Sequence, residues 1–462
     1  MKRTLTLVAF VVCLNVNAQT FAVDTIFKNG PLDDRINLVF VGDGYQANEL
    51  NQYVIDVNEI LDEIFNQSPF KEYKSYFNAF AIKVISNQSG ATHPRTSPDN
   101  DCSPVPASTV DTYFGSTFDY ANIHRLLVPT KNSALSNVLA SHLPLYDQVF
   151  VVVNSIYYGG SGGFYATGST NSNGKEVAIH EIGHSFAYLA DEYWAGPQYA
   201  VEKANLTQQS NPSLARWKDW IGVAGVGLYE HAESPSWKRP HQACKMRYLN
   251  NPFCKVCTET FVERIHSLVP SLVSYLPNKT TLPVPETGTI DFSLNLVKPN
   301  PNTLKITWER NNAIFSKNVE SVSLEAASFG EEGDIIRATV IDTTHLTRSS
   351  AHTTSHLQVV EWTVGEPVTG ISVVERNIDV SIFPNPASQE LTISYSLDRP
   401  TSVIITLLDA SGKKLRTLVN QHQPGGTHEW KFEGELLMKR TGSYLLRFDF
   451  DRAVFTRKLL KE

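Results

Sequence analysis

The chain has 462 residues, a formal net charge of −7, 42% hydrophobic residues and 19% charged residues. This composition is ordinary for a globular protein and excludes wholesale disorder and collagen-like repeats. The lack of a basic excess argues against a nucleic-acid partner, because nothing would neutralise a phosphate backbone. The length predicts two to four domains.

The first 18 residues have the pattern of a secretory signal peptide. Lys2 and Arg3 precede a short apolar run at residues 5–14, and a small-residue cleavage site ends the segment. The run is too short to cross a bilayer, which takes about 20 apolar residues, and we find no other candidate transmembrane span. Removal of the segment takes away two cations and Cys13, so the mature net charge becomes −9.

Residues 19–275 are predicted to mix strands and helices. Apolar runs and alternating apolar residues predict strands, and apolar residues at helical spacing predict an amphipathic helix. The predicted strands lie at residues 36–41, 80–84 and 149–153, and the predicted helix at residues 50–64. The glycines at residues 159–163 predict a flexible loop, and not a phosphate-binding loop, because no Gly-Lys-Ser/Thr follows them.

The rest of the chain is predicted to be all β. Residues 276–286 look like a linker. Apolar residues then alternate with period two through residues 287–366, which is typical of an immunoglobulin-like β-sandwich. A second break at residues 365–377 precedes a last all-β segment at residues 378–462.

One motif carries catalytic chemistry. His180-Glu181-Ile182-Gly183-His184 is an H-E-x-x-H sequence surrounded by apolar residues at helical spacing. Residues four apart share one face of a helix, so His180 and His184 can bind the same Zn²⁺. Glu181 can take a proton from a zinc-bound water, whose pKa falls to roughly 7. The implied reaction is peptide hydrolysis.

A catalytic zinc needs a third protein ligand and an open position. Asp191 and Glu192 are the next candidates. Asp191 shares the helix face of His184, but a straight helix would place it about 10 Å along the axis. The helix must therefore end or bend between them. Asp191 is the predicted ligand and Glu192 the second choice; the alternative is that both only solvate a helix end.

The sequence from His180 to Tyr193 resembles the signature of the IgA-peptidase family of zinc metallopeptidases, peptidase family sixty-four. Other segments resemble the same family in the same order, and they lie at residues 38–45, 110–116, 153–162, 244–247 and 253–257. The resemblance implies a metzincin-like endopeptidase fold, with His180, His184 and Asp191 on zinc and Glu181 as general base.

Metzincins place a Met-turn beneath the zinc, in some branches with a Tyr two residues after the Met. Met246 and Tyr248 have that spacing, so Met246 would form an apolar floor and Tyr248 would bind zinc or donate to the oxyanion. Two positions depart from the family pattern. Ala187 replaces the Gly that lets the helix turn, and Ala190 stands where the usual third ligand falls.

Four cysteines remain after the signal peptide: Cys102, Cys244, Cys254 and Cys257. The spacing of the last two, together with Cys244, fits a zinc knuckle or a redox pair. An exported protein favours disulfides instead, and three pairings of four cysteines are open.

Residues 378–462 resemble the C-terminal sorting domain of the type IX secretion system of Bacteroidota. The resemblance lies in a Pro-Asn-Pro turn at residues 383–387, in residues 409–413 and 442–446, and in the basic end at residues 457–461. It implies contact with the type IX secretion machinery, passage across the outer membrane, and release or attachment at the cell surface. The alternative is a small accessory β-domain that stays on the protein.

The sequence therefore predicts an α/β (α+β) metzincin-like peptidase domain at residues 19–275, followed by an immunoglobulin-like β-sandwich and a small all-β sorting domain. The predicted function is a secreted zinc endopeptidase that acts on extracellular proteins or peptides. The rival hypothesis is a surface adhesin with a structural metal site, in which a base such as Glu181 would have no use.

Overall fold

The structure is a computed structural model that describes residues 20–102, 104–330, 333–365, 380–387, 390–397, 399–409, 412–433, 442–450 and 453–461. The predicted signal peptide, Met438 and most of the predicted break at residues 365–377 lie outside these ranges. Among the helices described, none is both long enough and apolar enough to cross a membrane.

A six-stranded mixed sheet forms the centre of the N-terminal region. Its strands are β1 (Val23–Lys28), β2 (Ile36–Asp43), β3 (Phe77–Ile82), β4 (Gln148–Val153), β5 (Gly160–Ser161) and β6 (Ala166–Ser169). Their order is β1-β3-β2-β4-β6-β5, with β3, β2, β4 and β6 parallel and the two edge strands antiparallel to their neighbours. The strands predicted at residues 36–41 and 149–153 are confirmed as β2 and β4.

Two segments of this sheet differ from the sequence prediction. The strand predicted at residues 80–84 is present as β3, but it begins at Phe77, ends at Ile82 before Val84, and is buried at all six residues. The glycine-rich segment is not only a loop, because Gly160 and Ser161 pair with β6 as the edge strand β5. Both differences come from strand pairing, which adds burial and hydrogen bonds that residue type alone does not reveal.

Helices cover both faces of the sheet. They are α1 (Leu50–Asn66), α2 (Asn132–His142), α3 (Gly174–Ser185) and α4 (Lys255–Leu268), and the hairpin of β7 (Tyr229–His231) and β8 (Ser234–Arg239) precedes α4. Apolar residues of α1, α3 and α4 share one core with Phe40 and Phe150, whereas α2 packs with Val39 and Val151 on the opposite face. The N-terminal region is therefore a layered α/β unit, and α1 confirms the predicted helix.

Asp43, at the end of β2, is fully buried and organises the long segment between β3 and α2. Its carboxylate accepts hydrogen bonds from Thr112 Oγ1 and from the backbone N–H groups of Phe114 and Ser116, each at 2.9 Å. Ser86 Oγ donates a further bond at 3.2 Å. These four hydrogen bonds tie the Gly-Asp-Gly turn to the segment that continues towards the cleft.

Two packed sheets follow the N-terminal region. One contains β10 (Thr281–Leu282), β12 (Leu304–Arg310), β13 (Ala313–Lys317), β15 (Asp334–Asp342) and β16 (Gln358–Val364), and the other contains β9 (Leu272–Leu276), β11 (Thr289–Leu296) and β14 (Ser321–Glu325). A short helix, α5 (His352–Ser355), lies before β16. Trp308 and Trp362 stack in the core between the sheets. Strands β9 and β10 extend the sandwich back to Leu272, through the segment predicted as a linker.

The sandwich is fixed to the N-terminal region by buried polar contacts. Asp342 accepts hydrogen bonds from Tyr73 Oη at 2.6 Å and from His266 Nε2 at 3.0 Å. Its side chain is fully buried. On α4, Glu263 is bonded to His352 and His356 of the sandwich. The two regions therefore share ion pairs as well as apolar surface.

The C-terminal segment folds as two further sheets around one core. The first contains β17 (Val380–Phe383), β18 (Glu390–Leu397) and β21 (Gly426–Glu433), and the second contains β19 (Thr401–Asp409), β20 (Lys414–Gln423), β22 (Gly442–Phe450) and β23 (Ala453–Lys461). Asn385 accepts a hydrogen bond from Leu460 N at 2.8 Å and donates one to Lys458 O at 3.1 Å. The Pro-Asn-Pro turn and the basic last strand are thus joined.

Candidate metal centre and cleft

Three predicted ligand side chains meet at the C-terminal end of α3. The Nε2 atoms of His180 and His184 lie 3.1 Å apart, and Asp191 Oδ1 lies 3.1 Å from the first and 3.2 Å from the second. A tetrahedral ion with bonds of about 2.0 Å places its ligand atoms about 3.3 Å apart. The triangle therefore has the size of one face of a zinc coordination tetrahedron.

Backbone carbonyls fix both imidazoles in the orientation that a metal requires. His180 Nδ1 donates to Lys245 O and His184 Nδ1 donates to Leu189 O, each at 2.9 Å. When the imidazoles are neutral, both Nε2 atoms carry lone pairs, and they face each other and a carboxylate oxygen. Such outer hydrogen bonds are the usual partners of metal-bound histidines. Three acceptors that converge in this way call for a cation, so the donor set fits zinc.

The electrostatics around the triangle also favour a cation. Burial alone would lower the pKa of His180, but the hydrogen bond to Asp191 and the negative charges of Glu181 and Asp191 raise it to about 9. Burial would raise the pKa of Asp191, yet the hydrogen bonds and charges of the two histidines hold it well below its usual value.

A turn after α3 brings Asp191 back to the histidines. The helix ends at Ser185, whose Oγ donates to Glu181 O at 2.9 Å and accepts from Gln148 Nε2 of β4 at 2.8 Å. Tyr188 adopts a left-handed backbone conformation with φ of 56°, and Leu189 N donates to Gly183 O at 3.0 Å. The break predicted between His184 and Asp191 is present, but Tyr188 makes the turn in place of a glycine.

Glu181 lies beside the triangle at the edge of the sheet. A Cβ added to Gly162 would come within 2.6 Å of Glu181 Oε2 and 2.8 Å of His184 Cβ, so only glycine fits there. Burial raises the pKa of Glu181, and the positive charges of His180 and His184 oppose this shift. A carboxylate with a raised pKa takes up a proton more readily than an ordinary one.

The triangle opens into a cleft of about 1850 Å³. Its lining includes Glu181, Arg125, Phe164, Tyr193 and Trp194. Tyr193 stacks on the imidazole of His180 with ring centroids 6.4 Å apart. Sequence analysis missed Tyr193 and Arg125: Tyr193 directly follows the Asp191-Glu192 pair, whereas no sequence signal singles out Arg125.

Met246 and Tyr248 have different surroundings. Met246 is fully buried, and its sulfur lies beneath α3 against Gly183. Tyr248 is 49% exposed, packs against the guanidinium of Arg247 and is not among the residues that line the cleft. The structure brings Met246 to the histidines and does not bring Tyr248 there.

The expected disulfides do not form in the structure. All four cysteines have free thiols, and Cys102 lies next to Asp119, His93 and His124, away from the other three. Cys244, Cys254 and Cys257 surround Glu192 instead. Glu192 therefore points away from His180 and His184. The disulfide prediction is therefore wrong. The spacing of the cysteines and the export of the protein do not reveal that a carboxylate joins the three thiols.

Family comparison agrees with the motif. Residues 25–227 match the family model described as IgA Peptidase M64. The chain carries an IgA peptidase M64 region. Residues 381–462 match the secretion system C-terminal sorting domain, so both suspected resemblances are confirmed. The M64 match ends before Met246 and the last three cysteines. The sorting-domain match indicates a protein exported for release or for the cell surface, and residues 25–227 are similar to a peptidase family.

No curated protein matches the chain. Among solved structures, dimeric latent PorU from Porphyromonas gingivalis is 16% identical, with a TM-score of 0.19; the match covers 42% of this chain and 20% of that one. A variant titin fragment, domains I67–I69, is 9% identical with a TM-score of 0.16, over 39% and 61% of the two chains. Drosophila OTK extracellular domains 3–5 are 9% identical with a TM-score of 0.14, over 42% and 65%. The chain thus spans less than two thirds of each.

Proposed function

We propose that this M64-family chain is a zinc-dependent endopeptidase that hydrolyses peptide bonds of extracellular proteins. The observation that carries the proposal is the triangle of His180 Nε2, His184 Nε2 and Asp191 Oδ1, with sides of 3.1–3.2 Å, beside Glu181. The proposal includes a metzincin-like arrangement: an H-E-x-x-H helix, a reversing turn to the third ligand, and Met246 beneath the helix. We also propose the domain division predicted from the sequence, with the peptidase domain at residues 19–275, the sandwich at residues 287–366 and the sorting domain at residues 378–462.

His180, His184 and Asp191 would hold the ion, which, when bound, polarises a carbonyl group and makes water acidic enough to ionise near neutral pH. Glu181 accepts the proton of the attacking water at its carboxylate and passes it to the leaving amine. Tyr193 stacks on His180 and lines the cleft, so its hydroxyl is the group that we assign to donate a hydrogen bond to the oxyanion.

The exposed chain at residues 162–164 offers a place for an extended substrate next to Glu181. β5 itself cannot offer its outer edge at Gly160, because Gly160 N donates to Arg125 O at 3.0 Å and Gly160 O accepts from Leu127 N at 3.3 Å. Backbone pairing beyond Ser161 would place a scissile carbonyl beside the histidines. Phe164, which is 47% exposed, is available for an apolar substrate side chain.

The test compares wild type with Glu181→Gln for zinc content and for cleavage of casein as a general protein substrate. We expect the variant to keep its zinc and to lose roughly 100-fold to 10,000-fold in kcat, since only the proton acceptor is removed. Glu320→Gln on the exposed surface of the sandwich is the matched control and should cleave normally. Wild-type rates in Glu181→Gln, or a wild-type protein that binds no zinc, would contradict the proposal.

A further inference from the structure

A second group of metal-ligand side chains lies on the far side of the Asp191-Glu192 pair. Glu192, Cys244, Cys254 and Cys257 are all buried, and their ligand atoms lie within 4.8 Å of one another. Cys244 comes two residues before Met246, and Cys254 and Cys257 lie at the start of α4. The four residues come from three separate segments that meet only in the folded chain.

The distances in this group match a tetrahedral thiolate site. Cys244 Sγ and Cys257 Sγ are 3.7 Å apart, and two sulfurs bound to zinc at about 2.3 Å would be about 3.8 Å apart. Glu192 Oε1 lies 3.2 Å from Cys257 Sγ and 3.8 Å from Cys254 Sγ. The thiols and the carboxylate oxygen thus surround a common centre.

No described residue forms an ion pair with Glu192 at contact distance, and the charge of Arg239 acts on it only at longer range. Its side chain is fully buried, Oε2 finds no hydrogen-bond partner among the described residues, and Oε1 accepts from Asn205 Nδ2 at 3.3 Å. A buried carboxylate without a counter-charge costs several kcal/mol in typical proteins. A disulfide would not supply the charge, and it would leave one of three neighbouring thiols unpaired.

We infer that Glu192, Cys244, Cys254 and Cys257 form a closed structural zinc site distinct from the catalytic triangle. Thiolates select zinc over harder divalent ions, and four protein ligands leave no open position for water or substrate. Glu192 N donates to Met246 O at 2.7 Å, so the site ties the Asp191 turn to the Met246 segment. This inference does not depend on peptidase activity.

The test measures zinc per chain in the full protein, in Cys257→Ser and in His184→Ala. Each variant should lose one equivalent of zinc per chain. When cobalt replaces zinc, His184→Ala should keep the thiolate-to-cobalt charge-transfer absorption, whereas Cys257→Ser should weaken it. If Cys257→Ser keeps the wild-type zinc content, the inference is overturned. If only His184→Ala loses zinc, the proposed function stands and only the cysteine site is rejected.

A second measurement needs no variant and covers the case in which Cys257→Ser does not fold. Wild-type protein is unfolded with chelator, alkylated without reductant and mapped by peptide mass spectrometry. We expect Cys244, Cys254 and Cys257 all to carry the alkyl group. A disulfide between any two of them would overturn the zinc assignment.

Independent geometry points to a third site in the segment between β3 and α2. His93, Cys102, Asp119 and His124 are each at most 5% exposed, and their ligand atoms lie within 4.8 Å of one another. His124 Nδ1 is 3.0 Å from His93 Nε2 and 2.9 Å from Asp119 Oδ1. A proton on His124 Nδ1 can be donated to Asp119, but Nδ1 then has no lone pair with which to accept a hydrogen bond from His93. Hydrogen bonding therefore accounts for only one of the two contacts.

We propose that this cluster binds zinc and fixes the segment, whose described residues form only short 3₁₀ turns and isolated bridges. Wild type should then contain three zinc equivalents per chain and His124→Ala two, with no change in cobalt–thiolate absorption from the Cys244 cluster. Unchanged zinc in a folded His124→Ala would overturn the proposal. If that variant does not fold, zinc-edge anomalous diffraction of wild type decides: a peak among the four side chains supports the site and its absence rejects it.

Discussion

The sulfur of Met246 lies directly against Gly183, so that a Cβ at Gly183 would come within 2.5 Å of Sδ. Gly183 stands between the two histidines of the H-E-x-x-H motif, on the face of α3 that turns away from the cleft. The missing side chain lets the buried thioether support the helix between its two ligands. Lys245 strengthens this support, because its carbonyl holds His180 and its ammonium pairs with Glu176 in the first turn of α3.

Gly183→Ala should therefore destabilise the protein by about 1–3 kcal/mol, the usual cost of overpacking a core, and should weaken zinc binding. Chemical denaturation and zinc titration measure the two effects. The double variant Gly183→Ala/Met246→Ala, in which the shorter side chain at 246 relieves the clash, should lose less stability than the sum of the losses in the two single variants. Strictly additive effects would show that the contact does not couple the two positions.

Asp191→Ala should lower zinc affinity by more than roughly 100-fold, because it removes a ligand. Loss of a residue that only hydrogen-bonds to a ligand costs roughly 10-fold to 100-fold. The fold should survive, since α3 keeps its packing against β4 and Met246. A chelator competition assay gives the affinity and circular dichroism the fold. Asp62→Ala on the exposed face of α1 is the matched control. An unchanged affinity would remove Asp191 from the site.

Tyr193→Phe and Tyr248→Phe discriminate between the tyrosine found in the cleft and the one expected from the Met-turn spacing. Loss of an oxyanion donor costs roughly 100-fold or more in kcat with little change in KM. We expect this loss in Tyr193→Phe and near-normal kinetics in Tyr248→Phe. The opposite pattern would assign the role to Tyr248 and require its exposed ring to move when substrate binds.

Much of the site could be predicted from short-range sequence patterns. The four-residue spacing of His180 and His184 follows from helix geometry, and the need for a break before Asp191 follows from the same geometry. Tyr188 could not be predicted as the turning residue, because a left-handed tyrosine is intrinsically unfavourable. Its ring is held by Arg264, whose guanidinium lies 5.2 Å from the ring centroid. Long-range packing thus selects a conformation that local preference disfavours.

The surroundings of the site depend on contacts between distant segments, which one sequence does not reveal. Glu192 joins cysteines more than 50 positions later in the chain, and this partnership turned an expected disulfide framework into a thiol–carboxylate cluster. Likewise, the sandwich could be predicted from period-two alternation, but its attachment through Glu263, His352 and His356 could not. In both cases the residue types are informative only once the fold places them together.

The attachment of the sandwich should be pH-dependent. Burial would raise the pKa of Glu263, but hydrogen bonds from His352 and His356 lower it to about 2 from 4.5. Burial would lower the pKa of His352, but its bond to Glu263 raises it above 6.5. The contribution of Glu263 is complete above pH 4.5 and is lost as the pH falls towards 2. That of His352 is complete below pH 6.5 and is lost as the pH rises through its raised value.

Glu263→Gln should therefore reduce stability most between about pH 4.5 and 6.5, by roughly 1–3 kcal/mol. Thermal unfolding of wild type and variant across pH 3–9 measures the difference, with Glu320→Gln as control. A deficit that is the same at every pH would contradict the assigned ion pairs.

The central claim is that His180, His184 and Asp191 hold a zinc ion beside Glu181. Anomalous X-ray diffraction at the zinc edge, on crystals of the wild-type protein grown with zinc, tests this most directly. We predict an anomalous peak about 2.0–2.2 Å from His180 Nε2, His184 Nε2 and an Asp191 carboxylate oxygen. A zinc-loaded crystal with no peak within bonding distance of these three atoms would contradict the account.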